Sequence, residues 1–303
     1  MKKSIRNLST VTTIGLDIAK NVFQVHGVDG AGFVVVAKSV RRAQLLAFFA
    51  SLPPCLVGIE ACSSAHHWAR ALIAMGHRVK LIPPQYVKPF VKRNKNDCND
   101  AEAISEAASR PSMRTVPMKT VDEQAATIVV KHREMLVGQR TQSINALRGH
   151  AAEFDVIAAK GSGNIDMLRS ALADHPAIPD MAKAMFEQIG RHVADLDMKI
   201  QAVNRQLLEQ HKANEVSQRL AAIPGIGPIT AITMALSVNP ANFESGRHFA
   251  AWLGLTPKEH STGGKHRLGR ISKAGNERLR QLLVVGAMAV LRFAKPGSKS
   301  ASA

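Results

Sequence analysis

The chain has 303 residues, with 40 Lys or Arg against 23 Asp or Glu, so its formal net charge at pH 7 is +17. Because 46% of the residues are hydrophobic, the chain can bury a core, which excludes a wholly disordered protein, and its length predicts two or more domains. Such an excess of positive charge favours a polyanionic partner, most simply nucleic acid, over a charge that serves solubility alone.

The positive charge is concentrated near the two ends of the chain. Residues 1–120 hold 17 basic and 7 acidic side chains, residues 121–215 hold 11 and 13, and residues 247–303 hold 11 and 2. Two basic segments around a neutral one predict two nucleic-acid-facing lobes joined by a spacer.

Cysteine usage and apolar runs bear on the cellular compartment. The three cysteines form no CxxC pair, which indicates free thiols in a reducing compartment. The basic N-terminus leads into no signal-peptide core, and the longest apolar run, "LLVVGAMAVL" at 282–291, is too short to cross a bilayer. We expect a soluble cytoplasmic protein without a membrane span, in which this run forms a buried helix or strand.

The first lobe, residues 1–118, is predicted to be α/β. "VTTIGLDIAKNVFQVHGV" contains two β-rich runs with Asp17 in or just after the first, and "CLVGIEAC" is a buried strand ending at Glu60. "AHHWARALIAMG" has helical spacing and stops at Gly76, "HRVKLIP" is another strand, and "NDAEAISEAASR" is a helix. Strands that alternate with helices indicate an α/β layer architecture.

The middle segment, residues 119–215, is predicted to be helical. Apolar residues step by three and four positions over three heptads at Phe186, Ile189, Val193, Leu196, Ile200, Val203 and Leu207. An earlier run steps in the same way at Ile144, Leu147, Ala151 and Phe154. We predict a coiled coil between subunits, with a helical hairpin that packs on itself as the alternative.

The last segment, residues 216–303, is predicted to be mainly α-helical. In "LAAIPGIGPITAITMAL" a helix breaks at Pro224–Gly227 and another follows, as in a helix-hairpin-helix element. There the amides of Gly225 and Gly227 would approach a phosphate, whereas a simple helix–turn–helix connection would have no such role. The tail "AKPGSKSASA" is expected to be disordered.

A loop within this segment combines hydroxyl groups with positive charge. In "KEHSTGGKHRLGRISKAGN", residues 258–276, Ser261 and Thr262 precede two glycines, and the cations that follow are Lys265, Arg267, Arg270 and Lys273. The stretch indicates either a solvated basic loop or a nucleophile held beside a polyanion.

Four acidic residues of the basic first lobe are placed where they can form a site. Asp17 and Glu60 follow glycines in predicted strands, and Asp97 and Asp100 are three apart at a helix start, so they can share a face. Carboxylates that converge need neutralisation, and hard cations such as Mg²⁺ prefer oxygen ligands. Alternatively, Asp97 or Asp100 caps the helix, and Glu60 pairs with Arg70 or Arg78.

An ordered set of motifs covers roughly residues 11–292 and reads "GLDIAK", "GIEAC", "IPPQYVKPFVKRNKNDCNDAEAI", "IPGIGPITA", "WLGLTPKEHSTGGKHRLGRISKAGN" and "LRQLLVVGAMAVL". This set resembles the insertion-sequence one-ten family of transposases, in particular its eleven-eleven branch. The resemblance implies an RNase H-like (RuvC-like) first domain, a helical coiled-coil spacer and a C-terminal transposase domain. It maps an Asp-Glu-Asp-Asp tetrad that binds Mg²⁺ onto Asp17, Glu60, Asp97 and Asp100.

The resemblance also implies a mechanism and partners. Ser261 maps onto a serine that attacks a DNA phosphodiester and becomes covalently joined to DNA, acting with the tetrad of another subunit, and Thr262 is the alternative nucleophile. Donor and target DNA would be recognised through a structured guide (bridge) RNA, by a dimer that assembles to a tetramer at the bacterial nucleoid. The residues expected to bind nucleic acid are Lys92, Arg93, Lys95, Gly225, Gly227, Lys265, Arg267, Arg270 and Lys273.

Three functions are compatible with these sequence features. The first is an RNA-guided DNA transposase or recombinase that uses Ser261 and the tetrad. The second is a RuvC-like metal-dependent nuclease or junction resolvase without a serine step. The third is a decayed transposase that only binds nucleic acid, which is favoured by a chain that stops earlier than the family usually does.

Overall fold

The computed structural model describes residues 7–92, 97–159 and 161–293, without the side chain of Ser162. The chain divides into two compact units, Met1–Val121 and Asp122–Ala303. The predicted division into three domains, with boundaries after residues 118 and 215, stays a prediction.

The first unit is built on a five-stranded mixed sheet. Its strands are β1 (Thr13–Asp17), β2 (Val22–Val28), β3 (Val34–Arg41), β4 (Leu56–Glu60) and β5 (Arg78–Ile82). They lie in the order β3-β2-β1-β4-β5, with β1, β2 and β3 antiparallel and β1, β4 and β5 parallel. Parallel neighbours need crossover connections, and helices supply them here. The sheet order places β1 at the centre, with β4 beside it.

The helices of this unit are α1 (Leu45–Ala50), α2 (Ala65–Ala74), the short α3 (Pro84–Val87) and α4 (Asp97–Ser109). The core between them and the sheet contains fully buried Ile14, Leu16, Phe23, Phe49 and Leu72. A second cluster joins α4 to the end of β5, with Ile82 and Ile104 at its centre. The sheet and α4 therefore form one packed layer pair.

The expected α/β architecture is confirmed for the first unit, and most of its predicted elements are present. The two runs in 11–28 are β1 and β2, and the strand ending at Glu60 is β4. The helix that stops at Gly76 is α2, and the strand before Pro83 is β5. The prediction lacked the short helices α1 and α3, and it lacked β3, whose burial does not follow a simple alternation.

The second unit begins with two long helices. These are α5 (Val121–Ala152) and α7 (Asp180–Lys212), with the shorter α6 (Ile165–Asp174) between them in sequence. The helices α8 (Glu215–Ala221), α9 (Pro228–Ser237) and α10 (Gly246–Trp252) follow. A two-stranded antiparallel hairpin, β6 (Pro257–Glu259) and β7 (Leu268–Ile271), then leads to α11 (Glu277–Phe293).

The predicted coiled coil between subunits is wrong, because the α7 seam is buried inside its own chain. Phe186 and Val193 pack with Ile144, Leu147, Ala151 and side chains of α6, while Leu196, Ile200, Val203 and Leu207 pack with Val130, Leu136 and Ile232. Arg140 of α5 also holds Asp197 of α7 with a 2.6 Å ion pair. The helical hairpin, the alternative for this segment, is the arrangement found.

The apolar run 282–291 is helical, as one of two options predicted, but the expectation that it is buried is wrong. It lies in α11, where Val285 is 68% and Met288 59% exposed and only Leu279 and Arg280 are buried. Residues 294–303, which were expected to be disordered, lie outside the described residues. None of the helices in the described ranges has the length and hydropathy required to cross a bilayer.

Candidate functional site

The carboxyl ends of two neighbouring parallel strands bring two of the four acidic residues together. β1 ends at Asp17 and β4 ends at Glu60. The register pairs Gly15 with Gly58 and Leu16 with Ile59, so the two acids occupy equivalent positions at the same edge of the sheet. Side chains two residues apart share one face of a strand. Asp17 therefore lies on the face of Gly15, and Glu60 on the face of Gly58.

Helix α4 packs directly on that face because the two strand glycines leave room for it. A Cβ on Gly15 would lie 2.0 Å from the carbonyl oxygen of Ala101, and a Cβ on Gly58 would lie 2.5 Å from the Cβ of Ala108. The helix thus crosses the sheet at backbone distance, with its first turn toward the strand ends. Asp97 and Asp100 belong to that first turn.

Three of the four acids form a compact cluster. Asp17, Asp97 and Asp100 each offer a carboxylate oxygen, and these oxygens all lie within 4.8 Å of one another. Glu60 is not part of this cluster, but its charge raises the pKa of Asp17. Asp17 and Asp100 are half-buried, whereas Asp97 is exposed.

Among the described residues, the cluster is a negatively charged site whose carboxylates repel one another. Burial first, and then the charges of Asp100, Asp97 and Glu60, together raise the pKa of Asp17 to about 6. Among the ion pairs of the described ranges, none involves Asp17, Asp97 or Asp100. The folded chain therefore gathers carboxylates whose repulsion is unrelieved by a basic side chain among the described residues.

These residues fit a hard divalent cation. The donors are all carboxylate oxygens that lie within 4.8 Å of one another, and burial together with the charges of its neighbours disfavours ionisation of Asp17 until a cation is bound. Neighbouring Cys62 adds no soft ligand, because burial and the charges of Glu60 and Asp17 raise the pKa of its thiol.

The capping alternative for Asp97 and Asp100 is not what the structure shows. Asp97 and Asp100 lie inside the first turn of α4 rather than at the capping position before it. Arg70, one proposed partner of Glu60, donates from Nη1 to the carbonyl oxygen of Lys119 at 2.7 Å. An ion pair of Glu60 with Arg78 stays a prediction.

The basic residues just before α4 are only partly described. Lys92 is exposed and its Nζ lies 2.5 Å from Oε1 of Glu102 in α4. Arg93 and Lys95, also expected to bind nucleic acid, lie outside the described residues. The nucleic-acid role of all three stays a prediction.

In the second unit, the serine loop is an ordered hairpin. Gly263 and Gly264 have φ angles of +57° and +76°, the left-handed pair that a tight two-residue hairpin turn requires. The backbone N–H of Lys265 donates to the carbonyl oxygen of Thr262 at 3.0 Å, and that of His260 donates to the carbonyl oxygen of Arg267 at 2.8 Å. Ser261 therefore sits one residue before the closing pair of the turn.

The hydroxyl of Ser261 has a specific partner. The backbone N–H of Arg267 donates to its Oγ at 3.1 Å. Ser261 is half-buried while Thr262 is exposed. A donor aimed at Oγ stabilises negative charge on that oxygen. The role of Ser261 or Thr262 as a nucleophile stays a prediction.

The cations of the hairpin are all exposed. Lys265, Arg267, Arg270 and Lys273 surround the turn and its stem, and none of them forms an ion pair within the described ranges. They form the surface that we call the hairpin cations. Exposed cations without acidic partners are available to a phosphate backbone.

The turn between α8 and α9 differs from the expected phosphate-binding arrangement at Gly225. The backbone of Gly225 packs against that of Gly286 in α11, where a Cβ on Gly286 would meet the Gly225 carbonyl oxygen at 1.9 Å. This contact gives Gly225 a packing role. Gly227 is exposed as the N-cap of α9 with open space around it. Phosphate binding by these two residues stays a prediction.

Sequence reasoning missed one feature of the carboxylate site and one feature of the serine hairpin. The glycines of "GLD" and "GIE" admit α4 to the sheet, and the sequence contains their signal as a glycine two residues before each acid. Burial of Arg280 beneath the serine hairpin gives no comparable sequence signal.

Comparison with known proteins covers both units. Residues 14–154 match the DEDD transposase domain of IS110 elements, and residues 217–302 match the domain described as transposase IS116/IS110/IS902 family. The protein y4pF/y4sB of Sinorhizobium fredii, a putative transposase, is 48% identical over 98% of this chain and 77% of its own length. The probable family 20 transposase of Pseudomonas aeruginosa is also 48% identical, over 93% of this chain and 85% of its own length.

A third relative bears on the branch of the family. The transposase for insertion sequence element IS1111A of Coxiella burnetii is 41% identical over 97% of this chain and 82% of its own length. This similarity supports the eleven-eleven branch. The DEDD match agrees with an RNase H-like fold for the first unit and with dependence on a divalent metal. The chain belongs to the IS116/IS110/IS902 family of transposases.

Proposed function

We propose that this transposase cuts and rejoins DNA with Ser261 as the nucleophile, assisted by Mg²⁺ on Asp17, Glu60, Asp97 and Asp100, and guided by a structured RNA. The observation that carries the serine step is the hydrogen bond from the Arg267 amide to the Ser261 Oγ at 3.1 Å. The hairpin cations around this oxygen match the phosphodiester that it would attack.

The serine step is a transesterification, which conserves the number of ester bonds to phosphorus. Ser261 Oγ bonds to phosphorus, the bond from phosphorus to the leaving deoxyribose oxygen breaks, the serine proton passes to a base, and the leaving oxygen gains a proton. Rejoining reverses this, because the hydroxyl of a second strand attacks the phosphoserine, which restores the Ser261 hydroxyl. The Arg267 amide stabilises charge on Oγ in both directions, and the hairpin cations stabilise charge on the phosphate oxygens.

The carboxylate cluster contributes by holding a cation. When bound there, Mg²⁺ would activate an attacking oxygen and stabilise a leaving one in phosphodiester chemistry. The chain's own contribution is placement, since β1 and β4 fix Asp17 and Glu60 while α4 presents Asp97 and Asp100. Calorimetric titration with Mg²⁺ counts the ions bound.

RNA guidance, assembly and location complete the proposal. The net charge of +17 is suited to holding RNA as well as DNA. Assembly as a dimer that forms a tetramer must use a surface other than the α7 seam, which is buried within the chain. Acting on chromosomal DNA would place the protein in the bacterial cytoplasm at the nucleoid.

A metal-dependent nuclease or junction resolvase without a serine step is the second candidate. It is favoured by the carboxylate cluster, which is complete within the first unit and does not need the hairpin. In that case the hairpin cations would bind DNA without covalent chemistry.

Covalent trapping separates these candidates. The full chain, purified with RNA co-expressed from its flanking sequence, is mixed with labelled donor and target DNA and Mg²⁺, and the products are resolved under denaturing conditions. We expect a protein–DNA adduct that is absent in Ser261→Ala and in reactions with EDTA. Cleavage without an adduct, equal in wild type and Ser261→Ala, would establish the nuclease. RNA binding without adduct or cleavage would indicate a binding protein.

A further inference from the structure

One charged side chain is buried under the serine hairpin. Arg280, in the first turns of α11, is only 8% exposed. Burying a guanidinium is costly unless its donors are used. Arg280 forms no ion pair with a carboxylate of the described ranges, and its Nη1 instead donates to the carbonyl oxygen of Leu253 at 2.7 Å and to that of Ala274 at 2.9 Å.

These two carbonyl groups flank the hairpin on either side. Leu253 follows the end of α10 and precedes β6, and Ala274 follows β7 and precedes α11. Ser261 lies between them in the chain. The guanidinium therefore joins the backbone just before the hairpin to the backbone just after it.

Backbone hydrogen bonds complete this base. The N–H of Ser272 donates to the carbonyl oxygen of Thr256 at 2.9 Å, and the N–H of Lys273 donates to that of Gly254 at 3.0 Å. Beyond them, every residue of β6 and β7 is exposed. A two-stranded hairpin without a packed face is marginal by itself, so its direction depends on its base.

We propose that Arg280 is a positioning residue that fixes the serine hairpin through its two ends, an inference that rests on Ser261 being the nucleophile of the proposed function. Arg280 is too deeply placed to be one of the hairpin cations, and it acts through Leu253 and Ala274. Loss of these bonds would leave the hairpin formed but free to tilt. A displacement of about 1 Å at a reacting atom can lower a rate by about a hundredfold.

The first test measures the hairpin itself in the full chain. Hydrogen exchange, followed by peptide mass spectrometry, compares wild type with Arg280→Ala, Arg280→Lys and the matched control Arg292→Ala, an exposed arginine of the same helix. In Arg280→Ala we expect exchange at the amides of Ser272 and Lys273 to be about tenfold faster or more, with peptides of β1 and β4 unchanged. Arg280→Lys should be intermediate and Arg292→Ala should match wild type.

The second test measures the rate of adduct formation against the DNA concentration. We expect Arg280→Ala to lower the rate at saturating DNA by about tenfold or more while half-saturation changes by less than about threefold, because the hairpin cations remain. If Arg280→Ala does not fold, the partial defect of Arg280→Lys provides the same comparison. A general loss of structure would instead weaken DNA binding and the exchange protection of α7 as well.

The two tests distinguish a failure of the proposed Arg280 role from a failure of the serine step. Unchanged hairpin exchange and an unchanged adduct rate in Arg280→Ala would overturn the role of Arg280. If Arg280→Ala alters hairpin exchange but the wild type forms no adduct, the role of Arg280 is supported and the serine step of the proposed function is overturned.

Discussion

At the scale of single residues, Asp17 connects the fold to its chemistry. Its pKa is raised to about 6 from an ordinary value of 3.8, first by burial and then by the charges of Asp100, Asp97 and Glu60. Because the folded pKa is above the unfolded one, the folded protein binds more protons between these values. The contribution of Asp17 to the stability of the folded protein is therefore fully present below about pH 4 and is lost as the pH rises through about 6.

The raised pKa of Asp17 predicts that removing its charge stabilises the metal-free protein. In EDTA at about pH 8, Asp17→Asn should unfold at a higher temperature than wild type, and the gap should narrow as the pH falls to about 4.5. Thermal unfolding followed by circular dichroism measures both. Mg²⁺ should then stabilise wild type more than Asp17→Asn, and an Asn variant that is less stable at pH 8 in EDTA would contradict the electrostatic account.

At the scale of elements, the two strand glycines control how α4 meets the sheet. A Cβ at Gly15 would lie 2.0 Å from the Ala101 carbonyl oxygen and 2.4 Å from the Ser105 nitrogen, both backbone atoms that cannot rotate away. Gly15→Ala should therefore move α4, lower the free energy of unfolding by about 1–3 kcal/mol and weaken Mg²⁺ binding through Asp97 and Asp100.

A glycine in open space provides the matched control for this prediction. At Gly138 in α5, a Cβ would have no atom within 4 Å outside the helix's own backbone, so Gly138→Ala should instead stabilise the helix by about 0.5–1 kcal/mol. Chemical denaturation gives both changes, and calorimetric titration with Mg²⁺ gives the second effect of Gly15→Ala. Equal Mg²⁺ affinity in Gly15→Ala and wild type would contradict the role of the helix position.

The seam of α7 gives a second prediction at this scale. Leu196 is 2% exposed and packs on α5 within the chain, so Leu196→Ala should lower the free energy of unfolding by about 2–5 kcal/mol without changing the oligomeric mass. Urea denaturation and light scattering measure the two quantities. Met198→Ala, at a 63% exposed position of the same helix, should change neither. Dissociation of an oligomer by Leu196→Ala but not by Met198→Ala would contradict this account and support a coiled coil between subunits.

The same elements show what sequence can and cannot predict. Periodicity identified the α7 seam and the run Ile144, Leu147 and Ala151 of α5 that packs with part of it, but not whether the seam is covered by its own chain or by another subunit. The strand pattern identified β1, β2, β4 and β5 but not β3, whose pairing with β2 contains a register shift at Gly27 and Val28.

For the carboxylate site, positions at strand ends and at a helix start, together with the charge imbalance of the lobe, selected four acids. The clustering of Asp17, Asp97 and Asp100 depends on strand register and on the approach of α4, which only the structure shows. The serine stretch was recognisable by its hydroxyls, glycines and cations. Its contact with a buried arginine of a later helix was not, since Arg280 has no local pattern that distinguishes it from Arg278 or Arg292.

At the scale of the whole molecule, the net charge of +17 predicts salt-sensitive binding of nucleic acid. Each phosphate contact that is removed should lower the slope of log affinity against log salt by about one. Replacing Lys265, Arg267 and Arg270 by alanine should therefore reduce the slope for DNA by up to about three, as measured by fluorescence anisotropy.

A variant with equal loss of positive charge elsewhere is the control for that slope. Lys183, Arg191 and Lys199 lie on α7, in the nearly neutral middle segment of the chain, and their replacement by alanine should leave the slope within about one of wild type. Equal slopes for the two triple variants would mean that the hairpin cations do not contact DNA phosphates.

The most direct test of the central claim is to locate the residue that becomes joined to DNA. The adduct formed by the full chain with RNA, DNA and Mg²⁺ is digested with nuclease and protease, and the peptide spanning residues 258–276 is sequenced by mass spectrometry. The account predicts a nucleotide phosphate on Ser261, and none in Ser261→Ala. A phosphate on Thr262, on another residue, or on none in a reaction that still cleaves DNA would contradict it.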